Sequence, residues 1–368
     1  MARKREYKNI IIFLGNIFKN KYSNSKYFSI ASNEWQKNFL KNFKNKIINL
    51  TYYPETFFPI GSLFVNKKNF SIFKNTKYLN FLNLIYYRNI SIEKKIIQEA
   101  CKLKSKRNQL ILMTYNFQDP IINASATLKK KYNLKWINIC ADFNENQRIK
   151  IFKKIAPADL NIFLSYHAYK NYLGRNKLYF YGNLKKIYKP KVKENTYKII
   201  YSGSLGDWTG IKIFLKEFLS MNNNFTLEIT SNDNPNEILD YIDNKKVKFH
   251  GFLKKNKLNK LLTDADFFLN LRNNYDINNL NNFPSKILTY LQYNKPIISS
   301  NLKNIDKQMK QVLLMDEKDD FKKLLNQINK FDNSKINKIK KKIFNFNLKL
   351  EKDSKVKIKR IRNLIGKI

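Results

Sequence analysis

The stretch 282–291, followed by 295–300, contains the residues best suited to bind an anion. It predicts a loop, a helix and a short buried β-branched strand. Pro284 fits at or just before a first helical turn, Ser285 can cap that turn, and Lys286 adds a cation beside backbone N–H groups that lack helical partners. Such a helix start binds anions, most often phosphate. The alternative is an ordinary helix of an α/β sheet, since many helices begin with Pro and Ser.

Composition narrows the classes of protein and of partner. A chain of 368 residues, 43% hydrophobic and 14% aromatic, should form more than one core, most simply two domains. Its net charge of +43 must attract polyanions, whether nucleic acid, anionic lipid headgroups or phosphorylated substrates. Cys101 and Cys140 lie far apart without metal-ligand spacing, so we expect neither a disulfide framework nor a zinc site, in agreement with a reducing cytoplasm.

The elements that must position these residues follow the pattern of parallel α/β sheets, in which short β-rich runs alternate with amphipathic helices. In the first half, strands are predicted at 9–14, 46–52, 109–114, 135–140 and 161–165, and helices at 31–43, 92–103, 121–132 and 147–155. In the second half, strands are predicted at 197–201, 225–230, 247–250, 266–271 and 296–300, and helices at 211–219, from 234 onwards, and at 258–263. The run at 10–14 is too short and too early interrupted for a signal peptide, and no apolar run is long enough to span a membrane.

Two Rossmann-like α/β domains that face a cleft are therefore predicted. The first covers residues 1–184 and the second residues 197–334, with a polar, basic linker at 185–196. Residues 335–368 are predicted to form a very basic helical segment that packs back on the first domain.

Four segments of the second half occur in a recognisable order. They are YSGSL at 201–205 with Gly210, VKFHGFL at 247–253, ADFFLN at 265–270, and FPSK at 283–286 followed by KPIIS at 295–299. This order resembles the nucleotide-sugar-binding domain of GT-B glycosyltransferases, and is most similar to the retaining family 4, the glycosyl transferases group 1 type. The first half resembles those enzymes only in layout.

The resemblance implies a role for each segment in binding the donor. Gly203 and Ser204 would let the backbone pass close to a diphosphate, where bulk is excluded; the alternative is an ordinary turn. Gly251 and Phe252 would hold the nucleobase, unless they are a strand end and a core side chain. Arg272 would be a second cation for the diphosphate, unless it is a surface residue.

The resemblance assigns the chemistry of the leaving group to the opening motif. Lys286 would act catalytically by neutralising the departing diphosphate, together with Ser285 and the helix start that Phe283 and Pro284 precede. The family usually carries two glutamates with seven residues between them, but Asn281 and Thr289 occupy those positions here. Thr289 or Tyr290 would then have to bind the ribose, which leaves the donor nucleotide open and an inactive homologue as an alternative.

The layout of the family also implies an acceptor side in the first half. Gly15 and the start of the helix 31–43 would lie near the acceptor, and Asn116 and Asp142 follow predicted strands, where ligand-binding residues are found. Asp142 could serve as a general base or electrostatic partner of the transferring sugar, the alternative being a turn cap. No metal and no cofactor besides the nucleotide-sugar are expected.

We therefore predict an enzyme that moves a sugar from a nucleotide-sugar to a glycan or lipid-linked acceptor in bacterial surface polysaccharide or glycoconjugate synthesis, with retention and without a metal. The basic segments 41–46, 94–106, 129–131 and 338–342 would bind an anionic membrane from the cytoplasmic side, unless they are solvated helix faces. A nucleic-acid-binding protein is the competing class, but dispersed basic residues and the lack of a recognition motif argue against nucleic acid. A noncatalytic nucleotide-sugar-binding homologue is the third.

Overall fold

The computed structural model describes residues 8–19, 29–104, 108–184, 187–188, 197–221, 224–242 and 245–366. The chain forms two compact units. Unit 1 comprises Met1–Gly182 with Lys355–Ile368, and unit 2 comprises Asn183–Ser354. Of the predicted linker, residues 185, 186 and 189–196 lie outside the described residues.

Unit 1 is built on a parallel sheet of buried, β-branched strands. Its strands are β1 (Lys8–Leu14), β2 (Lys46–Thr51), β4 (Thr76–Tyr78), β6 (Asn108–Tyr115), β7 (Lys135–Cys140), β8 (Leu160–Phe163) and β9 (Lys177–Tyr179). They are ordered β4-β2-β1-β6-β7-β8-β9, and a separate antiparallel pair joins β3 (Phe64–Val65) to β5 (Phe81–Leu82). The continuous apolar run of β1 is typical of a central parallel strand that is covered on both faces.

The helices of unit 1 are α1 (Ile30–Leu40), α2 (Arg88–Leu103), α3 (Asp119–Tyr132), α4 (Arg148–Ile155) and α5 (Tyr166–Asn171). Helix α2 shows why they form: it buries Ile92, Ile96 and Ala100, which recur every four residues along one face. The strands β1 and β6 pair in register from Lys8↔Asn108 to Leu14↔Thr114, so the residues that follow them meet at one edge of the sheet.

Unit 2 contains a second parallel sheet. Its strands are β10 (Tyr197–Ser202), β11 (Phe225–Thr230), β12 (Val247–Phe249), β13 (Phe267–Asn270) and β14 (Ile297–Ser299), ordered β12-β11-β10-β13-β14. Its helices are α6 (Ile211–Leu219), α7 (Leu239–Ile242), α8 (Lys255–Asp264), α9 (Lys286–Leu291), α10 (Lys307–Lys310), α11 (Phe321–Asn329) and the first part of α12 (Asn333–Ile365). The strand order reverses between β10 and β13, which is the point where open α/β sheets bind ligands.

Helix α12 divides between the two units. In unit 2, the Asn347 side-chain amide donates to Leu291 O and to Asn294 Oδ1, at 2.6 and 2.7 Å. In unit 1, Ile361 is fully buried and the Arg362 guanidinium donates to Asn42 O. Of the basic segment predicted at 335–368, residues 335–365 are therefore part of the 33-residue helix α12, and residues 367 and 368 lie outside the described residues. None of the described helices combines the length and the apolar character needed to cross a bilayer.

Candidate functional site

The strand-order reversal in unit 2 brings together residues that are far apart in the chain. Gly203 and Ser204 follow β10, Arg272 follows β13, and Lys286 begins α9. The ammonium group of Lys286 packs so closely on Gly203 that a Cβ at position 203 would overlap with Nζ. A side chain at position 203 would therefore displace the Lys286 ammonium group, whereas the backbone φ at this position does not require glycine. The site predicted from Gly203, Ser204 and Lys286 is one cluster in the structure.

The electrostatics of Lys286 suit a site for a dianion. Burial, together with the positive charge of Arg272, lowers the pKa of Lys286 to about 7, and the carboxylate of Asp233 offsets part of this effect. Its Nζ also lies 4.8 Å from the centre of the Tyr201 ring. A lysine with a pKa near 7 is only partly protonated at neutral pH. An anion that binds beside it stabilises the protonated form, since the opposite charge raises the pKa of the lysine.

Asp233, which the sequence analysis missed, organises the loop after β10. Its Oδ2 accepts hydrogen bonds from Ser204 Oγ at 2.5 Å and from Leu205 N at 2.8 Å. Ser204 is thus oriented by a carboxylate that is 29 residues away in the chain. The only sequence signal was the position of Asp233 shortly after strand β11.

Arg272 is placed by an aromatic side chain and by the next strand. Its guanidinium lies over the Trp208 ring at 4.5 Å, and its backbone N–H donates to Ser300 Oγ at 2.9 Å. The Trp208 ring in turn lies close to Gly206, where a Cβ would come 2.8 Å from Nε1. Arg272 is therefore a fixed cation near Lys286, and Trp208 is a second residue that the sequence analysis missed.

The helix start at Ser285 differs from its prediction. Ser285 occupies the capping position of α9, but its backbone is already helical (φ −56°, ψ −22°) and its side chain makes no capping hydrogen bond. The N–H groups of Ser285, Ile287 and Leu288 donate to Phe283 O, Pro284 O and Ser285 O in tight turns. The predicted capping by Ser285 is therefore wrong, and the Lys286 side chain carries the anion-binding character of this segment. Phe283 and Pro284 are buried.

Gly251 and Phe252 follow β12 at the same edge of the sheet. Gly251 has φ 62°, and its carbonyl accepts from Thr230 Oγ1 at 2.7 Å and from Ser231 N at 3.2 Å. This turn leaves the Phe252 ring 58% exposed, as a flat apolar face rather than a core side chain.

In unit 1, Asn116 and Asp142 lie together where β6 and β7 end. Asn116 adopts a left-handed conformation (φ 65°), and its Oδ1 accepts from Ala141 N at 3.2 Å and Asp142 N at 3.1 Å. Asn116 is therefore a positioning residue, whereas the Asp142 side chain is exposed. Gly15 follows the neighbouring strand β1, and a Cβ there would come 2.5 Å from the Phe13 ring and 2.6 Å from Gln36 Oε1. Packing alone can therefore explain a glycine at this position, independently of the predicted role near the acceptor.

A cavity of about 380 Å³ opens in unit 1, and its lining includes Phe117 and Gln118, which directly follow Asn116 in the chain. Its lining contains Tyr52, Pro54, Phe57, Arg88, Asn89, Phe117, Gln118, Asp119, Pro120, Gln147, Lys150, Ile151 and Lys154. Three cations, Arg88, Lys150 and Lys154, face one carboxylate, Asp119, to which Lys154 is bound at 2.7 Å. Tyr52 and Gln118, which follow β2 and β6, are hydrogen-bonded to each other. Sequence reasoning missed this basic cavity because its residues come from four separate segments.

Comparison with known families identifies the second unit. Residues 196–331 match the model of the family described as Glycosyl transferases group 1. Residues 196–331 are a glycosyl transferases group 1 domain. No curated protein matches the chain. The predicted enzyme class, a glycosyltransferase, is thereby confirmed.

The similarity of this glycosyltransferase to solved structures covers nearly its whole length. The apo form of the lipopolysaccharide outer core galactosyltransferase WaaB has a TM-score of 0.65 and 13% identity, covering 97% of this chain and 99% of that one. Anabaena Alr3699/HepE in complex with UDP and glucose has a TM-score of 0.61 and 13% identity, covering 94% and 99%. The OtsA apo structure has a TM-score of 0.65 and 10% identity, covering 98% and 99%. At such identities the likeness shows the fold, and the predicted GT-B fold is confirmed.

The two positions at which the resemblance implies glutamates differ in exposure. Asn281 is fully buried and Thr289 is exposed. Tyr290, the other candidate for the ribose, stacks on Phe268 at 4.4 Å and accepts a hydrogen bond from Ser202 N at 3.0 Å. It is a core residue, so the proposed substitution by Tyr290 is wrong and only Thr289 keeps an accessible hydroxyl.

Among the residues that the structure describes, no group of three or more His, Cys, Asp and Glu side chains could hold a metal ion. His250, beside the predicted nucleobase loop, is instead paired with Glu228 at 2.8 Å. Lys286 and Arg272 are two cations at the strand-order reversal that could neutralise the charge of an anion.

Proposed function

We propose that this GT-B glycosyltransferase transfers a sugar from a nucleotide-sugar to a glycan or lipid-linked acceptor, with retention of configuration and without a metal. The observation that carries the proposal is the placement of the Lys286 ammonium against Gly203 at the strand-order reversal of unit 2, with Arg272 as a second cation. That placement supports a diphosphate site in the domain that matches glycosyl transferases group 1.

Lys286 and Arg272 would act on the leaving group. When the bond between the anomeric carbon and the diphosphate breaks, negative charge grows on the departing oxygen. A fixed cation nearby stabilises this charge more than the ground state, and well-placed groups of this kind contribute about 3–4 kcal/mol. Because the pKa of Lys286 is about 7 in the free protein, donor binding would draw a proton onto it and complete the charge.

The nucleoside would lie toward the turn at Gly251. The exposed Phe252 ring offers an apolar face for a base, and the Thr289 hydroxyl offers a hydrogen-bonding group for the ribose. Neither group selects one base strongly. HepE, one of the similar structures, is described in complex with UDP-glucose, which makes a uridine nucleotide the first donor to test.

The acceptor would bind unit 1, in the basic cavity beside Asn116. Its cations suit an anionic acceptor, such as a glycan linked to a lipid phosphate. Asp142, exposed and held at its backbone by Asn116, would receive the proton of the acceptor hydroxyl or stabilise the positive sugar. The net charge of +43 supports a location on the anionic inner face of the cell membrane, in the synthesis of a bacterial surface polysaccharide or glycoconjugate.

Turnover tests the proposal. The protein is incubated with radiolabelled UDP-, GDP-, CMP- and ADP-sugars and a bacterial lipid extract, and transfer of label to the lipid or glycan fraction is measured. We expect transfer from one nucleotide class, lost by at least about 100-fold in Lys286→Met and retained in Lys257→Met, which changes an exposed lysine of α8. Tight nucleotide binding without transfer from any donor would identify a noncatalytic homologue instead.

A further inference from the structure

Unit 1 exposes a concentration of large apolar side chains in the segment between β2 and α2. We call the 58–87 surface the group formed by Phe58, Ile60, Phe64, Ile85, Tyr86 and Tyr87. Ile60 and Tyr86 are each 86% exposed, Phe64 is 69% exposed and Ile85 is 61% exposed. Single exposed apolar residues are ordinary, but a patch of them marks an interaction site.

The two loops that carry this surface are held together by one buried residue. The Asn83 side-chain amide donates to Thr56 O at 2.6 Å and to Ser62 O at 2.9 Å. Its backbone N–H donates to Leu63 O at 2.8 Å, and its carbonyl accepts from Phe58 N at 3.1 Å. With Phe64 paired to Leu82 across β3 and β5, loops 56–64 and 82–87 form one fixed surface.

The charges around this surface are mainly positive. Residues 55–93 contain five cations, Lys67, Lys68, Lys74, Lys77 and Arg88, and two carboxylates at the ends of the range, of which Glu55 accepts hydrogen bonds from Ser62 N and Oγ. The first three of these cations are exposed. A surface of Phe, Tyr and Ile flanked by Lys is complementary to the interface of an anionic bilayer, where aromatic rings enter the headgroup region and ammonium groups contact phosphate.

We propose that the 58–87 surface is the membrane-docking surface of this protein, and that its partner is an anionic lipid bilayer. It replaces the dispersed basic segments as the principal membrane contact. The Arg88 guanidinium lies 4.8 Å from the Phe57 ring, and both residues line the basic cavity of unit 1 next to this surface. Docking would therefore bring that cavity to the headgroup layer. The inference rests on the membrane location proposed above, but not on the chemistry of sugar transfer.

Vesicle flotation tests the proposal on the full chain. Partitioning is measured onto phosphatidylcholine vesicles with and without phosphatidylglycerol. We expect binding to the anionic vesicles, weakened by at least about tenfold in the triple variant Ile60→Ser, Phe64→Ser, Tyr86→Ser. The matched control is Leu173→Ser with Tyr275→Ser, which removes side chains that are each 95% exposed elsewhere, and it should bind like the wild type. Unchanged binding of the triple variant would overturn the proposal.

A second measurement does not depend on loss of binding. A tryptophan at position 86, made as Tyr86→Trp, should shift its emission to the blue when anionic vesicles are added, whereas Tyr275→Trp should not. An unshifted emission at lipid concentrations that bind all the protein would overturn the proposal. The proposal would also be overturned if sedimentation showed that two copies of the chain associate through this surface and the wild type did not bind vesicles.

Nucleotide binding by the same variants separates this inference from the proposed function. Calorimetric affinity for a nucleoside diphosphate should be equal in the wild type and the triple variant, because the substitutions lie in unit 1 and the diphosphate site lies in unit 2. If the wild type binds nucleotide but not vesicles, only the docking proposal is refuted. If the wild type binds vesicles but no nucleotide, only the proposed function is refuted.

Discussion

Lys286 combines a positive charge with a position that disfavours that charge. Burial and Arg272 lower its pKa from 10.5 to about 7, and Gly203 leaves room for its ammonium group. Burying this charge lowers the stability of the free protein, and the binding of an anion offsets that cost. At the scale of single residues, this cost should be visible in the pH dependence of both nucleotide affinity and stability.

Nucleotide affinity should fall as the pH rises above 7. Below about pH 7 Lys286 is protonated in the free protein and affinity should be constant; above it, each molecule must first take up a proton, so affinity should fall by up to about tenfold per pH unit. Calorimetry with a nucleoside diphosphate between pH 6 and 9 measures this. The ratio of wild-type to Lys286→Met affinity removes the ionisation of the nucleotide itself, and a ratio independent of pH would contradict the assignment.

Lys286→Met should stabilise the free protein at low pH. The folded pKa lies below the unfolded value, so the unfolded chain binds more protons between about pH 7 and 10.5, and the penalty is complete below pH 7. We expect a Tm increase of at least about 3 °C at pH 6 that shrinks toward pH 10. Thermal unfolding with Lys257→Met as the control measures it; a lower Tm for Lys286→Met would show that the charge contributes to stability.

Gly203→Ala should act through Lys286. The added Cβ overlaps with Nζ, so the ammonium group must leave its position and nucleotide affinity should fall by at least about tenfold. In Lys286→Met the same change should cost much less, because the cation is already absent. A double-mutant cycle on affinity measures the coupling. Additive effects would mean that Gly203 serves the backbone alone.

At the scale of elements, the last turns of α12 stabilise unit 1. Ile358, Ile361 and Ile365 are buried there, and the Lys135 ammonium donates to Leu364 O at 2.7 Å. Ile361→Ala should lower the free energy of unfolding by about 2–5 kcal/mol, because it leaves a cavity in a buried contact. Val356→Ala, at a position 68% exposed, should change it by less than about 0.5 kcal/mol. Denaturation followed by circular dichroism measures both; equal effects would contradict the packing.

Elements with a strong periodic pattern could be predicted from the sequence, and elements without one could not. The predicted strand at 9–14 is β1, Lys8–Leu14, and the predicted helix at 211–219 is α6. The segment from 52 to 87 has no regular alternation, because Asn83 and short turns organise it through hydrogen bonds rather than through a buried face. Its strands β3, β4 and β5 were therefore not predicted.

The candidate site was predictable only where one short segment carries its chemistry. FPSK at 283–286 and the glycine at 203 are visible in the sequence, and the structure brings them together. Asp233 and Trp208 contribute through contacts across the sheet that no local pattern encodes. The capping by Ser285 failed for a local reason, since the tight turns at Pro284 and Ser285 use the backbone groups that a cap would serve.

At the scale of the whole molecule, the net charge of +43 attracts every polyanion, so attraction alone cannot distinguish a nucleotide-sugar from a nucleic acid or a membrane. Specific sites make that distinction. We propose the Lys286 cluster as the site of a small dianion in unit 2, and the 58–87 surface as the site of a bilayer in unit 1. Binding through these sites should be selective, whereas binding through the general field should weaken steeply with salt.

Thermal shift with a ligand panel tests the central claim most directly. UDP, GDP, CMP, ADP and a single-stranded oligonucleotide are compared at low and physiological salt, with the wild type, Lys286→Met and Lys257→Met. We expect one nucleotide to stabilise the wild type and Lys257→Met at both salt concentrations and not to stabilise Lys286→Met. Stabilisation by the oligonucleotide alone, lost at physiological salt and indifferent to position 286, would contradict it.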